Sequence, residues 1–372
     1  MTLPIRVLMI SKAVIVGIYQ RKLEHIAAAG IDLRVVAPPY WQDERGITPL
    51  EHVYTEGYRL DVRPMRMNGN FHLHFYAGLR GVMREFKPHI VHIDEEPYNL
   101  AAWQALWWAK RARAKTLFFS WQNIARSYPP PFRWGEQWVV NNVDYALMGT
   151  QSAADVWRGK GYSGPLDVIP QFGTDPELFK PLPAFPERPF TIGYIGRLVE
   201  EKGIHILLDA LAQLPKTAHL RLLGSGPQRE ALAAQTGQLG LTDRVTFDAQ
   251  IASVDVPPYY HQLDVLALPS LTRPNWKEQF GRVLVEAMAS GVPVVGSDSG
   301  AIPGVVGDGG LIVPEGDATA LADALRTLMD DPAQRASLAA QGRQRVIDHF
   351  THAQVAADTV AVYRALVGQN KT

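Results

Sequence analysis

Short, mostly apolar runs rich in β-branched residues punctuate the chain. Ile5–Ile10, Leu33–Ala37, Ile90–Ile93 and Thr116–Phe119 fall in the first half, and Phe190–Ile195, Leu220–Leu223, Val245–Phe247, Val265–Leu268 and Val292–Val295 in the second. Near-continuous rather than alternating hydrophobicity suits strands covered on both faces, as in a parallel sheet between helices. Segments of helical period, such as residues 203–213 and 227–239, lie between them and complete βαβ units. The pattern predicts an α/β protein of two doubly wound, Rossmann-like domains.

The first series ends and the second begins around residues 168–189, where six prolines crowd out a helix or central strand. We therefore expect a first domain over 1–172, a linker over 173–189 and a second domain over 190–351. Beyond it, Val355, Thr359, Val362 and Leu366 recur at helical spacing. They predict an amphipathic helix within 352–372 that packs back on the first domain. A length of 372 residues exceeds what one core usually organises, which agrees with two domains.

Composition narrows the chemistry. With 47% apolar and 20% charged residues the chain is of ordinary globular make-up, and the absence of cysteine removes disulfides, thiolate nucleophiles and Cys-ligated zinc together. Met1–Ile10 has no basic segment followed by an apolar core and reads as a first strand, and no apolar run approaches the ~18 residues of a membrane span. A cytoplasmic address is expected. Residues 1–180 hold 21 Lys and Arg against 17 Asp and Glu, and residues 181–372 hold 16 against 20. That offset fits a mildly basic face on the first domain as well as plain scatter, and gives no reason to expect a nucleic acid.

Candidate chemistry concentrates in the second half. Glu278-Gln-Phe-Gly-Arg-Val-Leu-Val-Glu286 sets two carboxylates around Phe280 and Gly281, where a loop should turn into a helix. Glycine lets backbone approach a ligand closely, and the free N–H groups of a helix start favour anionic or hydroxyl-rich partners. A carboxylate in the following turn can accept two hydrogen bonds from a diol such as that of a ribose. In Gly193-Tyr-Ile-Gly196-Arg197-Leu-Val-Glu-Glu-Lys202-Gly203 a strand runs into a glycine-flanked loop with two cations beside a helix start, a setting that favours an anionic group. Leu222-Leu-Gly224-Ser-Gly226-Pro227 is a second such turn, but without the third glycine of a dinucleotide fingerprint it is no argument for NAD.

These segments resemble the E-x7-E, G-R-x4-K-G and G-x-G-P elements of the family-4 retaining glycosyltransferases, which have the GT-B fold of two Rossmann-like domains facing a cleft. The resemblance runs through the chain and is most specific from Gly193 to Pro314. It implies a donor site built from Gly196, Arg197, Lys202, Gly224, Gln250, Ile251, Glu278, Phe280, Gly281, Arg282, Val283 and Glu286. Backbone near Gln250 and Ile251 would meet the base, and the turn Ser297-Asp298-Ser299-Gly300 would close over the donor. Catalytic roles fall to Glu278, Arg197, Lys202 and Gln122, with no metal or other cofactor.

The first domain would hold the acceptor, through Gly17, Asp94, Glu95, Glu96, Gln122 and Asn123. Gly17 stands where the family often has paired glycines, and Asp94-Glu95-Glu96 ends a strand with three carboxylates. Gln122 replaces a histidine that in many relatives touches the donor sugar; an amide can donate and accept hydrogen bonds but takes up no proton. Trp103, Trp107 and Trp108 beside Lys110, Arg111, Arg113 and Lys115 match a membrane-interface composition, with inward-facing core tryptophans as the alternative.

The resemblance thus implies a metal-independent hexosyltransferase that retains anomeric configuration. UDP-glucose is the preferred donor and GDP-mannose the other, with a saccharide or lipid-linked acceptor, in cell-surface or exopolysaccharide synthesis. A peripheral site at the inner membrane face would fit the basic, Trp-rich segment. Two alternatives stay open: a GT-B sugar-nucleotide epimerase, and a nucleotide-sugar-binding partner subunit without turnover.

Overall fold

A computed structural model describes residues 4–43, 46–182, 188–251 and 255–368. The chain divides into two compact units, Met1–Gly173 together with His352–Thr372, and Thr174–Thr351.

The first unit is built on strands β1 (Ile5–Ser11), β2 (Ile31–Ala37), β3 (Arg59–Val62), β4 (Ile90–Asp94), β5 (Lys115–Ser120), β6 (Tyr145–Met148) and β7 (Leu166–Val168). They form one sheet in the order β7-β6-β5-β4-β1-β2-β3, with all neighbours parallel. The second unit carries β8 (Thr191–Ile195), β9 (His219–Leu223), β10 (Val245–Asp248), β11 (Val265–Leu268), β12 (Val294–Ser297) and β13 (Gly310–Val313). Their order is β10-β9-β8-β11-β12-β13, again all parallel. Each sheet reverses direction beside its first strand, between β1 and β4 or between β8 and β11. In doubly wound sheets ligands bind beyond the carboxyl ends of the strands at that reversal.

Burial on both faces explains the continuous apolar runs. Leu8 and Ile10 of β1 join one core with Val91, Ala102 and Leu106, while Val7 and Met9 join another with Leu23 and Ile26. The helix His352–Gly368 closes this second core through Val355, Val360, Tyr363 and Leu366. The Tyr363 hydroxyl lies 2.6 Å from His92 Nδ1. Burial, with help from Lys22, pushes the His92 imidazole well down and keeps it neutral, so this histidine is a packing residue. The last four residues of the expected helix lie outside the described residues.

Two boundaries differ from expectation. Residues 174–182 belong to the second unit rather than to a linker. Phe179 is 2% exposed in its core, and Thr174 bridges to Thr351 while its N–H donates to the Phe350 carbonyl at 2.7 Å. Pro176 enters a turn in which the Phe179 N–H donates to the Asp175 carbonyl at 3.0 Å, so this stretch is folded onto the unit and is not a spacer; residues 183–187 lie outside the described residues. The strand expected at 292–295 begins at Val294, because Pro293 has no N–H to give to the ladder and contributes only its carbonyl, to Leu266.

Candidate functional site

At the carboxyl ends of β8, β9 and β10 the second unit holds a cavity of about 470 Å³. Of the expected donor residues, Gly196, Arg197, Gly224, Gln250, Ile251, Arg282, Val283 and Glu286 line it. Gly196 and Gly224 both have φ of +150°, and a Cβ on Gly224 would lie 1.9 Å from the Gly196 carbonyl oxygen. Two strand ends therefore meet backbone to backbone, and any larger residue would push the loops into the cavity. Ser225 Oγ donates to Gln250 Oε1 at 2.8 Å, which ties the β9 loop to the segment after β10.

Glu286 comes from the helix Arg282–Ala289, which starts where Gly281 turns with φ of +77°. Leu284, Val285, Ala287 and Met288 bury this helix in the core. Glu286 is 5% exposed: Tyr260 donates its hydroxyl to Oε2 at 2.8 Å, and Arg282 Nε pairs with Oε1 at 2.8 Å. Burial pushes the Glu286 carboxyl up, and Arg282 and Tyr260 only partly offset this. Tyr260 is itself fully buried and was not singled out by the sequence, since its place beside Glu286 depends on the packing of a separate helix, Pro257–Tyr260. Removing its hydroxyl in Tyr260→Phe should raise the donor KM severalfold with a smaller change in kcat, which steady-state kinetics at varied donor would register.

Lys202 and Glu278 do not line the cavity; they pair with each other beside it, Nζ to Oε2 at 2.5 Å. Ser270 Oγ also donates to Glu278 Oε2 at 3.0 Å, and the Lys202 ammonium sits 5.1 Å from the Trp276 ring centre. The expected late turn holds the Glu278 backbone. Ala301 donates its N–H to the Glu278 carbonyl at 3.1 Å, and Gly300, with φ of +58°, leaves no room there for a Cβ. Phe280 corrects an expectation: its ring packs 5.7 Å from that of Phe350, against the core and not in the cavity. An aromatic ring gains more from the apolar interior than from a wet pocket edge. Gly281 makes the turn from which the Glu286 helix starts.

The first unit has its own cavity of about 260 Å³ at the β1/β4 reversal, lined by Lys12, Ala13, Ile15, Val16, Tyr19, Trp41, Asp94, Glu95, Glu96, Phe119, Trp121 and Gln171. All three expected carboxylates reach it, but they differ. Asp94 accepts from Ser11 Oγ at 2.5 Å and Gln171 Nε2 at 2.9 Å, and burial pushes its carboxyl up. Glu95 is committed within the unit, to Lys12 at 2.5 Å, Tyr76 at 2.8 Å, His74 at 3.2 Å and Asn99 at 3.2 Å. Burial works against its ionisation, yet Lys12 and His74 outweigh burial and hold it well below the usual carboxylate range. Glu96 accepts from Ser120 Oγ at 2.6 Å and the Trp121 N–H at 2.9 Å, and burial pushes it up to about 7.

Two other acceptor expectations meet a different structure. The Gly17 N–H is taken by Glu51 Oε2 at 2.5 Å, and Val53 closes the space a Cβ would need, so this glycine serves a chain crossing. Gln122 is 8% exposed, with Lys160 donating to its carbonyl oxygen at 2.8 Å and its amide 3.4 Å from the Tyr128 hydroxyl. Its amide is held by its own unit rather than presented to a ligand. Asn123 is buried and outside the cavity lining. Trp41, Tyr19 and Trp121 had no sequence signal; a hairpin, a short helical turn and a strand end bring them together.

In the tryptophan-rich helix Leu100–Arg111, Trp107 is 47% exposed with the Arg111 guanidinium 4.3 Å above it, while Trp103 and Trp108 are half-buried. Among the described residues no helix is long and apolar enough to cross a membrane, and no group of three or more His, Asp or Glu is arranged to hold a metal ion.

Two parallel, doubly wound units, each with a cavity beyond the carboxyl ends of its strands, make a GT-B protein. Comparison with known proteins agrees. Residues 176–345 match the family described as "Glycosyl transferases group 1", and residues 18–171 the "Glycosyl transferase 4-like domain". The chain is 34% identical over 263 residues to the GDP-mannose-dependent alpha-(1-6)-phosphatidylinositol monomannoside mannosyltransferase of Mycolicibacterium smegmatis, which covers 65% of this chain and 68% of that one. It is 30% identical over 255 residues to the 2-deoxystreptamine glucosyltransferase of Streptomyces kanamyceticus, across 63% of this chain and 64% of the relative, just under two thirds of its length. A sucrose-phosphate synthase from Thermosynechococcus elongatus superposes with a TM-score of 0.73 at 23% identity, covering 98% of this chain and all of that one, a likeness that speaks for the fold. The chain belongs to the group 1, family-4 glycosyltransferases.

Proposed function

We propose that the chain is a retaining glycosyltransferase that moves a hexose from a nucleoside-diphosphate sugar to a saccharide or lipid-linked acceptor. The observation that carries this reading is the second-unit cavity, with bare glycine backbone at Gly196 and Gly224, the Arg197 cation and the Glu286 carboxylate on one rim. Such a rim suits a diphosphate at the glycines and arginine and a ribose diol at Glu286. The Lys202–Glu278 pair beside it would open toward the donor, ammonium to phosphate and carboxylate to sugar hydroxyls.

In the reaction an acceptor hydroxyl oxygen bonds to the anomeric carbon on the face the leaving group departs. The bond from that carbon to the phosphate oxygen breaks with its electron pair passing to the nucleoside diphosphate, and a donor phosphate oxygen takes the hydroxyl proton. Arg197 and Lys202 stabilise the charge that develops on the diphosphate. With two fixed cations in that role, transfer is expected to survive EDTA within about twofold; loss of activity restored by a divalent ion would remove this part of the reading.

The names of the relatives support glucosyl and mannosyl donors in turn, and we place UDP-glucose first and GDP-mannose second. A peripheral membrane position and a role in cell-surface polysaccharide assembly are part of the same proposal, and the exposed Trp107–Arg111 stack is the feature that motivates the membrane position. The test is incubation with each donor and a panel of acceptors, with the anomeric configuration of the product read by NMR. Donor turnover without acceptor would favour an epimerase, and donor binding without turnover a partner subunit.

A further inference from the structure

We infer that Trp276 is a further substrate-contacting residue of the second unit, its indole the platform against which the transferred hexose of the donor stacks. This deepens the glycosyltransferase reading and rests on it.

The ring is carried by a turn that is written in the sequence. Arg273-Pro-Asn-Trp276 has proline at the second position, where its fixed φ suits a tight turn, and asparagine at the third. The turn closes in both directions: the Trp276 N–H donates to the Arg273 carbonyl at 3.2 Å and the Arg273 N–H to the Trp276 carbonyl at 2.8 Å. Its base is tied to two other segments. Arg273 Nη2 pairs with Glu200 Oε1 at 2.7 Å and the Leu271 N–H donates to the Glu201 carbonyl at 2.8 Å, which fixes the turn to the loop of Lys202. The Thr272 N–H donates to Glu315 at 2.6 Å, and the Thr272 and Ser299 hydroxyls lie 3.0 Å apart, which fixes it to the late turn. Pro274 and Asn275 are exposed and Trp276 is half-buried, so a large ring is held rigidly with part of its surface open to solvent. Among the described residues, Phe280 packs on the core of the unit and Trp276 does not, so the indole is not placed for core packing.

The ring lies where the donor sugar would come. Arg197 lines the cavity and Lys202 stands five residues further along the same loop, so a diphosphate held by both leads its sugar out of the cavity toward Lys202 and Glu278. There the Lys202 ammonium is 2.5 Å from the Glu278 carboxylate and 5.1 Å from the Trp276 ring centre. In this closed pair the cation occupies the indole. When a diphosphate draws the ammonium away, carboxylate and indole are released together. A pyranose matches that combination, with hydroxyls at its edge to donate to the carboxylate and C–H groups on its face to cover the ring. Tryptophan makes such a contact at low entropic cost, since its side chain has only two torsions to fix. Support of Lys202 alone is a poorer account of the indole, because the pairing with Glu278 already fixes the ammonium.

The two roles separate experimentally, because support of Lys202 acts on the diphosphate and a platform acts on the sugar. The full chain is titrated by calorimetry with UDP, GDP and ADP beside UDP-glucose, GDP-mannose and ADP-glucose, as wild type, Trp276→Leu and Trp276→Phe. For the nucleotide that the wild type takes, Trp276→Leu should weaken the nucleotide sugar about tenfold and change the matching nucleoside diphosphate less than about twofold. Trp276→Phe, which keeps an aromatic face, should stay within about threefold of wild type for both. In transfer assays donor KM should rise in Trp276→Leu and largely return in Trp276→Phe. Parallel weakening of nucleoside diphosphate and nucleotide sugar would make Trp276 a support for Lys202, and unchanged binding of both would make it a bystander. Either result overturns the inference while the glycosyltransferase reading stands. A wild type that binds none of the six ligands overturns that reading and the inference with it.

Discussion

Lys202→Ala is expected to lower transfer turnover by about 10²–10³-fold, the usual cost of removing one preorganised charge partner from a developing anion. Donor KM should change less, since the lost interaction matters most when the diphosphate departs. The side chain is placed for this by its surroundings: Gly203, with φ of +66°, lets the loop turn against the Pro269 carbonyl, and Trp276 lies under the ammonium. The substitution also strips the buried Glu278 carboxylate of its counter-charge and leaves Ser270 as a remaining donor to it. A loss of about 1–3 kcal/mol in stability is therefore expected as well. Lys202→Arg separates the two effects, because it keeps the charge: stability should largely return while turnover recovers only in part. A variant with wild-type turnover would remove Lys202 from the chemistry.

Glu286→Gln should raise donor KM by about 10–100-fold with kcat reduced much less. The carboxylate has two oxygens, each already oriented, by Tyr260 and by Arg282, toward the cavity. Losing the charge-assisted half of two hydrogen bonds to a diol costs about 1.5–3 kcal/mol, and each 1.4 kcal/mol is tenfold in affinity. A pH effect follows. Because burial raises the Glu286 carboxyl above its ordinary value, the proton that weakens its accepting power arrives at a higher pH than for an exposed glutamate. Donor affinity in the wild type should accordingly fall as the solution is acidified, and Glu286→Gln should lose that dependence. Unchanged donor KM in the variant would place the ribose elsewhere.

The sequence exposed the second unit far better than the first, and the reason is physical. The proposed donor site leans on backbone: Gly224, Gly203 and Gly300 are required by close approaches of carbonyl groups and Gly196 by its φ of +150°, and such requirements are written locally, as glycines after strands. Glu286 was legible for a similar reason, since a helix start and its first turns are sequence-local. The first-unit cavity depends on partners far apart in the chain. Glu95 looked like a free carboxylate until His74, Tyr76 and Lys12 were brought to it, and Gln122 looked available until Lys160 closed on its carbonyl. Gly17 carried a family signal, yet Glu51 occupies its N–H. Proline-rich residues 174–182 read as a spacer because Phe179 gives no hint in sequence that a core awaits it.

The central claim is that the second-unit cavity binds a nucleoside-diphosphate sugar. Calorimetric titration of the full chain with UDP-glucose, GDP-mannose and ADP-glucose tests it most directly. The account predicts one-to-one binding of at least one of them, weakened tenfold or more by Glu286→Gln; no binding of any nucleotide sugar, or binding untouched by that substitution, would contradict it.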